Sequence, residues 1–575
     1  MREILRRWQT SVFFRPAGND LFLLSLLTVL ITYQPFTLIG EINPFELGLY
    51  APGIDAIFRG WVPYRDFFHL RGPLELYIPA FFMKLLGRHF FILPYYFYIG
   101  TVVTLLGCIL IGKSLFRSRL IFYLSGLVII ARTFPRVYFN NWGGFRYAFG
   151  IFGLWCLLKY GQSGKSRWMF AAGGLAACGL LTSVEVGVCS LGAIAAMFAA
   201  LFLARTGENK TALRALAACA GGFLLFAGSY MVYLLANGAW SPYIDSQFAV
   251  VTNMTNTFND KLELVYPANA GEVLWGLTPF SRHFKHFTPV YTYLFFIGYL
   301  FYVYRQKRLT TQMTALAGIA AYGLIMYAAA WRKIENAQFE MALQPAKLLM
   351  FFLIERCCFY LWETRRGPAL VRPSALLENF ARAWIAPLVI AGLVFSSVGF
   401  AISKFQHRFV SYKMAVNFLT GKDPAKFSPL YHVPSQPPRI PGWEGVVLPQ
   451  AQAEEYEQLA DFFSRNTLPG ETVFVFPENA FNSFVINRPF LSRFPTAILS
   501  WFKDGWHEEL LGALLRQKPR YIVCPRNPVK GIEITYFGNP ANRRKYEAVR
   551  QVIDRDYRIE QTTSLSYIYK LKSGS

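Results

Sequence analysis

Residues 46–75, between the first two long apolar segments of the chain, have the sequence ELGLYAPGIDAIFRGWVPYRDFFHLRGPLE. The stretch contains four carboxylates, three arginines and a histidine. Segments that border a lipid bilayer seldom keep so many ionisable groups unless they use them. It is therefore the first candidate for a functional site, and the rest of the sequence must say whether a membrane surrounds it.

Composition points to a membrane protein. Of the 575 residues, 54% are hydrophobic, which is too many for an ordinary soluble domain, and 17% are aromatic, as in helices anchored at membrane interfaces. The net charge of +24 comes from cations in short loops between apolar runs, the pattern of cytoplasmic loops, so we expect no nucleic-acid partner. Seven of the eight cysteines fall in apolar runs, and no disulfide framework or zinc-ligand spacing follows from them.

The apolar runs predict a polytopic helical bundle with about eleven crossings. The basic loops between them place the N-terminus in the cytoplasm and the C-terminus outside. A shorter apolar run at 73–86 is predicted to lie at the outer interface; the alternative, in which it crosses, gives 12 or 13 spans. The runs lie at 21–40, 91–112, 119–135, 147–160, 168–184, 186–204, 212–236, 286–304, 311–330, 344–362 and 384–403.

The end of the chain has a different pattern. We divide the sequence into a transmembrane part (1–405), a proline-rich linker along the membrane surface (406–445) and a small extracytoplasmic α/β domain (446–575). In the last part, helical spacing predicts helices at 453–465 and 507–516, and β-rich runs predict strands at 473–476, 521–524 and 565–571. The fold class is thus mainly α, with this α/β addition.

The first outer loop resembles that of the GT-C superfamily of membrane glycosyltransferases, of the protein-mannosyltransferase and aminoarabinose-transferase type. In those enzymes an acidic residue, often within Asp-Glu, follows the first helix, and Gly-x-x-Pro-Tyr-Arg-Asp comes about a dozen residues later. The second motif matches well, while the first is reduced to a single carboxylate at Glu46, preceded by Phe45. The matching residues of the second motif are Gly60, Pro63, Tyr64, Arg65 and Asp66.

The resemblance implies an inverting transferase that uses a sugar linked to polyprenyl phosphate. Such a reaction needs a carboxylate to take the acceptor proton and cations to stabilise the departing phosphate. We assign the catalytic roles to Glu46 and Asp66. The alternatives are structural: Glu46 would cap a helix at 46–58, Asp66 would pair with Arg65 or Arg71, and Asp55 would pair with Arg59 four residues later on that helix.

Cations for the phosphate are expected from other outer segments. Arg146 stands where an outer turn enters a helix, and Arg332 and Lys333 open a late outer segment. Glu185 lies between two apolar runs, where a lone charge is costly, so we expect Arg146 or another cation near it. The residues assigned to substrate binding or support are Tyr64, Arg65, His69 and Glu185.

No cofactor is required by this chemistry. Whether the enzyme binds a divalent Mg²⁺ or Mn²⁺ ion stays open. Glu46, Asp66 and Glu185 could supply oxygen ligands, although no ligand spacing in the sequence demands a metal. The expected partners are the polyprenyl-phosphate sugar, a lipid, glycan or protein acceptor, and membrane lipids, and the expected location is a bacterial inner membrane. The rival functions are a transporter or flippase of a lipid-linked glycan and a non-catalytic assembly protein of envelope-glycan synthesis.

Overall fold

The computed structural model describes residues 15–32, 38–133, 144–204, 209–258, 284–330, 337–364, 390–403, 410–422, 433–477, 479–495, 497–499, 502–526 and 540–573. These residues form a mainly helical protein with a small sheet region near the C-terminus. Each of the eleven predicted apolar runs contains a helix, whereas the number of crossings stays a prediction. The helices of this part are α1 (Gly18–Thr32), α2 (Pro44–Gly48), α3 (Ala51–Phe58), α4 (Leu74–Leu86), α5 (Ile92–Leu115), α6 (Arg119–Thr133), α7 (Gly144–Ser163), α8 (Arg167–Leu180), α9 (Val184–Ala204), α10 (Asn209–Phe223), α11 (Ser229–Ala236, after a π-helical turn at Leu224–Gly228), α12 (Trp240–Phe258), α13 (Phe284–Arg305), α14 (Thr311–Ala330), α15 (Ala337–Thr364) and α16 (Ile390–Ser403).

Within the part of the chain that the structure describes, four helical segments are long and apolar enough to cross a membrane. They are Ile92–Leu115, Val184–Ala204, Lys210–Ala236 and Thr311–Ala329. Helix pairs in the bundle approach closely where small residues face each other: a Cβ on Gly173 of α8 would lie only 1.9 Å from the carbonyl oxygen of Cys219 on α10. Small residues at helix contacts are typical of membrane bundles, where close backbone approach replaces the hydrophobic effect. The chain is an integral membrane protein on these grounds.

Helix α4 is the predicted interfacial segment. Its 13 residues are about 20 Å long, well short of the roughly 30 Å of a bilayer core. Large apolar side chains on one side stay exposed, among them Phe81 at 62% and Leu85 at 68%. The helix is thus too short to cross by itself and leaves an apolar face exposed, while its place at the outer interface stays a prediction.

The α/β region contains helices and strands on two small sheets. Strands β1 (Leu38–Ile39) and β3 (Val446–Pro449) are parallel, with β2 (Ser435–Gln436) antiparallel to β3. The second sheet has the order β4 (Val473–Val475), β5 (Tyr521–Pro525), β7 (Ser566–Leu571), β6 (Tyr557–Thr562), and only the β4–β5 pair is parallel. The helices are α17 (Val410–Leu419), α18 (Gln450–Asn466), α19 (Phe481–Ile486), α20 (Asp504–Gln517) and α21 (Pro540–Asp556).

The predicted helices and strands of the C-terminal part are present, with bounds shifted by a few residues. Sequence reasoning missed α21 and β6, because both are strongly polar: α21 buries few apolar side chains, and β6 is mostly exposed at the sheet edge. It also missed α17, which lies inside the predicted linker. The boundaries of the three predicted domains stay a proposal.

The first loop and the α/β region share one hydrophobic core. Phe68 packs edge-on against Trp506 at 5.1 Å between ring centroids, and its backbone N–H donates to the carbonyl of Arg493. Phe90, at the start of α5, stacks on Trp443 at 4.4 Å. The α/β region therefore covers the first loop and holds it against the helical bundle.

Two local predictions for the first loop were wrong. The helix expected at 46–58 is split into α2 and α3. Asp55, buried in α3, pairs with Arg88 through two hydrogen bonds of 2.9 and 2.7 Å, and not with Arg59. The Arg88 guanidinium also donates to the carbonyl of Phe484, so it ties α3 to the α/β region, while Arg59 donates to Asn487.

The contact of Gly72 with the turn before α9 can be tested by paired substitutions. A Cβ at Gly72 would lie 2.1 Å from the carbonyl oxygen of Leu181, so Gly72→Ala must push the loop off this turn. We expect a loss of about 1–3 kcal/mol of stability, seen as a lower thermal midpoint and faster proteolysis in the first loop. Gly505→Ala in α20 is the matched control, because nothing lies within 4 Å of its Cβ position, and equal midpoints for both variants would contradict the packing described.

Candidate functional site

The turn that carries the Gly-x-x-Pro-Tyr-Arg-Asp motif is held by Tyr64. This residue adopts a left-handed backbone conformation with φ of 71°, and its side chain is fully buried. Its hydroxyl donates to the carbonyl of Arg71, and its ring packs edge-on against Tyr243 of α12 at 4.9 Å. Tyr64 therefore supports the loop from within.

Asp66 closes the same turn. One carboxylate oxygen accepts the backbone N–H of Val62 at 2.7 Å, and both oxygens accept from Arg65 at 2.8 and 2.7 Å. The hydrogen bond from Arg65 lowers the pKa of the Asp66 carboxyl, so this group is ionised and a weak base at neutral pH. The Asp66–Arg65 pair, which was the structural alternative for Asp66, is therefore present. Less than a third of the Asp66 side chain is exposed and open to a ligand.

The side chain of His69 is buried, with 2% of its surface exposed. Burial lowers the pKa of its imidazole to about 3, and the nearby Arg71 cation adds to the shift, so the ring is neutral. Its Nε2 atom has no hydrogen-bond partner among the described residues. A neutral ring with a vacant nitrogen can accept or donate one further hydrogen bond.

The loop then reaches the bundle through its own backbone. The N–H groups of Gly72 and Leu74 donate to the carbonyls of Thr182 and Leu181, each at 3.0 Å. The missing side chain of Gly72 permits this approach. As a result, the first turn of α4 lies beside the turn between α8 and α9 and close to the start of α7.

Glu75, in that first turn, lies between two arginines. Its side chain is 1% exposed, with one oxygen 3.7 Å from Nε of Arg71 and the other 4.0 Å from Nε of Arg146. Burial raises the pKa of the Glu75 carboxyl to about 7, against the opposing effects of Arg71 and Tyr50. A carboxyl with this pKa can hold or release a proton near neutral pH.

Arg146 keeps unused hydrogen-bond donors in this cluster. Its Nε and Nη2 atoms make no hydrogen bond within the described part of the chain. Arg146 is itself 1% exposed and lies against the ring of Tyr147 at 4.7 Å. The cluster therefore offers unused guanidinium donors in low-dielectric surroundings, which favour a nearby anion.

Several predicted site residues do not belong to this cluster or lie outside the residues that the structure describes. Glu46 lies on α2, but its side chain is outside the described residues, as are Arg332 and Lys333 entirely. The capping position of α2 belongs to Asn43, whose side-chain oxygen accepts the N–H of Phe45 at 3.1 Å. Glu185 is half-buried at the start of α9 and interacts electrostatically with Tyr147, whereas the ion pair of Arg146 is with Glu75.

Sequence reasoning assigned no role to Glu75 and mentioned Arg71 only as a partner of Asp66. The signal was present, since a carboxylate at the start of an apolar segment is costly unless it is paired. Its partner Arg146 lies far along the chain, however, and no spacing rule connects the two. Among the described residues, no group of three or more His, Cys, Asp or Glu side chains could hold a metal ion.

The fold is similar to that of a solved archaeal oligosaccharyltransferase, in agreement with the resemblance of the first loop. The chain is similar to the archaeal oligosaccharyltransferase AglB from Archaeoglobus fulgidus in complex with an inhibitory peptide and a dolichol-phosphate, with a TM-score of 0.50, 12% identity, and 96% of this chain and 74% of that chain covered. For ArnT from Cupriavidus metallidurans bound to undecaprenyl phosphate, the TM-score is 0.48 at 10% identity, with 96% and 97% covered. No protein-family model and no curated protein matches the sequence. At these identities the likeness establishes the fold alone.

The proton of Glu75 can be observed directly. Because its pKa is raised to about 7, the carboxyl is protonated at pH 5 and ionised at pH 9. Infrared difference spectra should lose a protonated-carboxyl band through this range, and Glu75→Gln should remove that band. Ionising a buried acid is unfavourable, so the stability gained by protonated Glu75 is lost as pH rises from about 4.5 to 7, and the glutamine variant should lack this fall.

Asp66→Asn is the control for this titration. The pKa of Asp66 is lowered, so its removal should leave the band unchanged above pH 5. A band that persists in Glu75→Gln would show that another group titrates.

Proposed function

We propose that this chain is a membrane glycosyltransferase that takes a sugar from a polyprenyl-phosphate-linked donor. The acceptor is a lipid, glycan or protein at the outer face of the membrane, and the configuration at the sugar is inverted. The observation that carries the proposal is the cationic cluster of Arg71, Glu75 and Arg146 under the first loop, in which the buried guanidinium of Arg146 keeps unused donors, in a chain with this fold. Such donors suit a substrate whose leaving group is a phosphate.

The reaction needs one displacement. The acceptor hydroxyl attacks the anomeric carbon, the bond from that carbon to the phosphate oxygen breaks, and its electron pair leaves with the phosphate. A carboxylate takes the hydroxyl proton as the new bond forms. We assign this role to Glu46 of α2, with no covalent intermediate on the protein.

The other residues of the loop support that step. Asp66 is a weak base because of Arg65, so its role is to hold the turn and to orient the acceptor. Arg146 is buried, so it supplies positive potential from below the site rather than a direct ligand. Arg332 and Lys333 remain our candidates for direct contact with the donor phosphate, and Glu185 and His69 for support.

Amide substitutions distinguish this proposal from its rivals. We expect Glu46→Gln to lower turnover about 100-fold or more, since it removes the base, and Asp66→Asn to lower it less. The measurement is release of undecaprenyl phosphate from its synthetic sugar conjugates by membranes that contain the protein, followed by mass spectrometry. The control is Asp461→Asn, because Asp461 is an exposed carboxylate on α18. This variant should release undecaprenyl phosphate as fast as the wild type.

A flippase or an assembly protein gives a different outcome. A flippase would move the sugar lipid across liposomes without releasing its phosphate carrier, and an assembly protein would do neither. Unchanged release of undecaprenyl phosphate by Glu46→Gln would contradict the assignment of Glu46 as the base. If the wild type releases no undecaprenyl phosphate from any conjugate with native acceptor membranes, the proposal as a whole is wrong.

Lipid retention tests the cationic cluster. Arg146→Gln removes one of two cations, so we expect at least about fivefold less undecaprenyl phosphate to remain bound in detergent, compared by native mass spectrometry. Arg146→Lys keeps the charge and should restore most of the binding. Equal retention in Arg146→Gln and the wild type would show that the cluster acts only in folding.

A further inference from the structure

A second polar cavity lies at the opposite end of the helical bundle. Tyr96, near the start of α5, lies close to Glu75. Lys113, near the other end of the same helix, is about 26 Å further along its axis. At this far end a cavity of about 540 Å³ opens between the ends of α5, α7 and α15. It is thus separated from the proposed catalytic site by most of the bundle and is independent of the function proposed above.

The cavity is lined by cations from four separate parts of the chain. They are Arg15, Lys113, Arg117, Lys159 and Arg356, and no carboxylate among the described residues belongs to the lining. Within the described residues, Lys113, Arg117 and Lys159 form no ion pair with a carboxylate. Like charges gathered in one cavity repel each other, so the arrangement is unfavourable unless an anion enters.

The acids nearest to this end are already engaged. One oxygen of Glu355 accepts the backbone N–H groups of Arg117 and Ser118, at 2.8 and 2.7 Å. The carboxylate of Asp20 accepts from Arg119 and from the hydroxyl of Tyr123. These bonds fix the turn between α5 and α6. Glu355 also attracts Arg117 and Arg356 electrostatically, whereas Lys113 and Lys159 form no ion pair within the described residues.

The walls of the cavity are held in place. The side chain of Gln162, at the end of α7, donates to the carbonyl of Ser114 at the end of α5 at 2.9 Å. The Lys159 ammonium lies 5.7 Å from the ring centre of Trp155, and the Arg356 guanidinium lies 4.9 Å from that of Phe352. Aromatic contacts and helix-end bonds thus position the cations before any ligand is bound.

We propose that this cavity binds the phosphate group of an anionic lipid headgroup. A basic pocket between membrane helices, at the end that loop charges assign to the cytoplasm, suits such a headgroup. Its volume lies in the range of pockets for whole small molecules and exceeds the need of a single phosphate ion. Bound there, the headgroup neutralises the cations and links the ends of α5, α7 and α15.

The experiment uses the full-length protein in detergent and its variant Lys113→Gln/Lys159→Gln. Short-chain phosphatidylglycerol, short-chain phosphatidylcholine and inorganic phosphate are the probes, and native mass spectrometry measures bound ligand. We expect phosphatidylglycerol to bind more tightly than phosphatidylcholine, and the double variant to bind it roughly 25-fold less tightly, about fivefold for each cation lost. Lys165→Gln is the matched control, because Lys165 is exposed at the same end but outside the lining, and its affinity should be unchanged.

The outcomes separate the sources of the phosphate. If inorganic phosphate does not displace phosphatidylglycerol, the ligand is a lipid headgroup; if it binds alone and displaces the lipid, the cavity takes free phosphate instead, and the lipid proposal fails. Equal binding of the two lipids, or equal binding of phosphatidylglycerol by the wild type and the double variant, also overturns it. Single variants at each lysine replace the double variant if it does not elute as a folded monodisperse protein.

Discussion

The burial of Glu75 between two guanidiniums is the constraint on which the candidate site depends. Taking a carboxylate out of water is costly, and here Arg71 and Arg146, which approach from different parts of the chain, offset a share of that cost. Their distances of 3.7 and 4.0 Å are longer than hydrogen bonds, so the offset is electrostatic and incomplete. The elevated pKa of Glu75 is the direct sign of that incomplete compensation.

This constraint determines how the first loop must be built. For Arg71 and Glu75 to share a site with Arg146, the loop has to approach α7 and the turn before α9 at backbone distance. Gly72 permits the approach, and the hydrogen bond from Tyr64 to the carbonyl of Arg71 sets the path of the chain just before it. The α/β region then closes over the loop through Phe68 and Trp506 and excludes water from one side. Local strain and distant packing therefore serve one buried charge cluster.

The sequence predicted what depends on local pattern. Apolar runs gave the helices of the bundle, the short run at 73–86 gave α4, and β-rich runs gave three strands of the second sheet, because each signal is contained within a single element. The resemblance in the first loop led to the fold class. By contrast, α21 and β6 escaped prediction because both are mostly polar and neither contains an apolar run. The helical spacing of Val549, Val552 and Ile553 in α21 was overlooked.

The charged residues were harder to assign than the helices. The i, i+4 spacing on a helix predicted that Asp55 pairs with Arg59. In the structure Asp55 pairs instead with Arg88, which lies on the connection between α4 and α5. The same reasoning did not connect Arg146 with Glu75. Ion pairs between distant segments depend on tertiary packing, which a single sequence does not encode in any fixed spacing. The positions of Glu46, Arg332 and Lys333 as site residues rest on the sequence.

The pairing of β1 with β3 has a consequence for how the protein is made. Leu38 and Ile39 are matched to Val446 and Val447, and the backbone of Ile42 exchanges two hydrogen bonds with the side chain of Gln452, 410 residues later. At roughly 5–20 residues per second, a ribosome needs some tens of seconds to synthesise the second partner after the first. During that interval the edge of β1 has no partner strand, so completion of this sheet is a late event that follows synthesis of residue 446. A nascent chain stopped before that residue would carry an uncovered strand edge, which can pair with another chain.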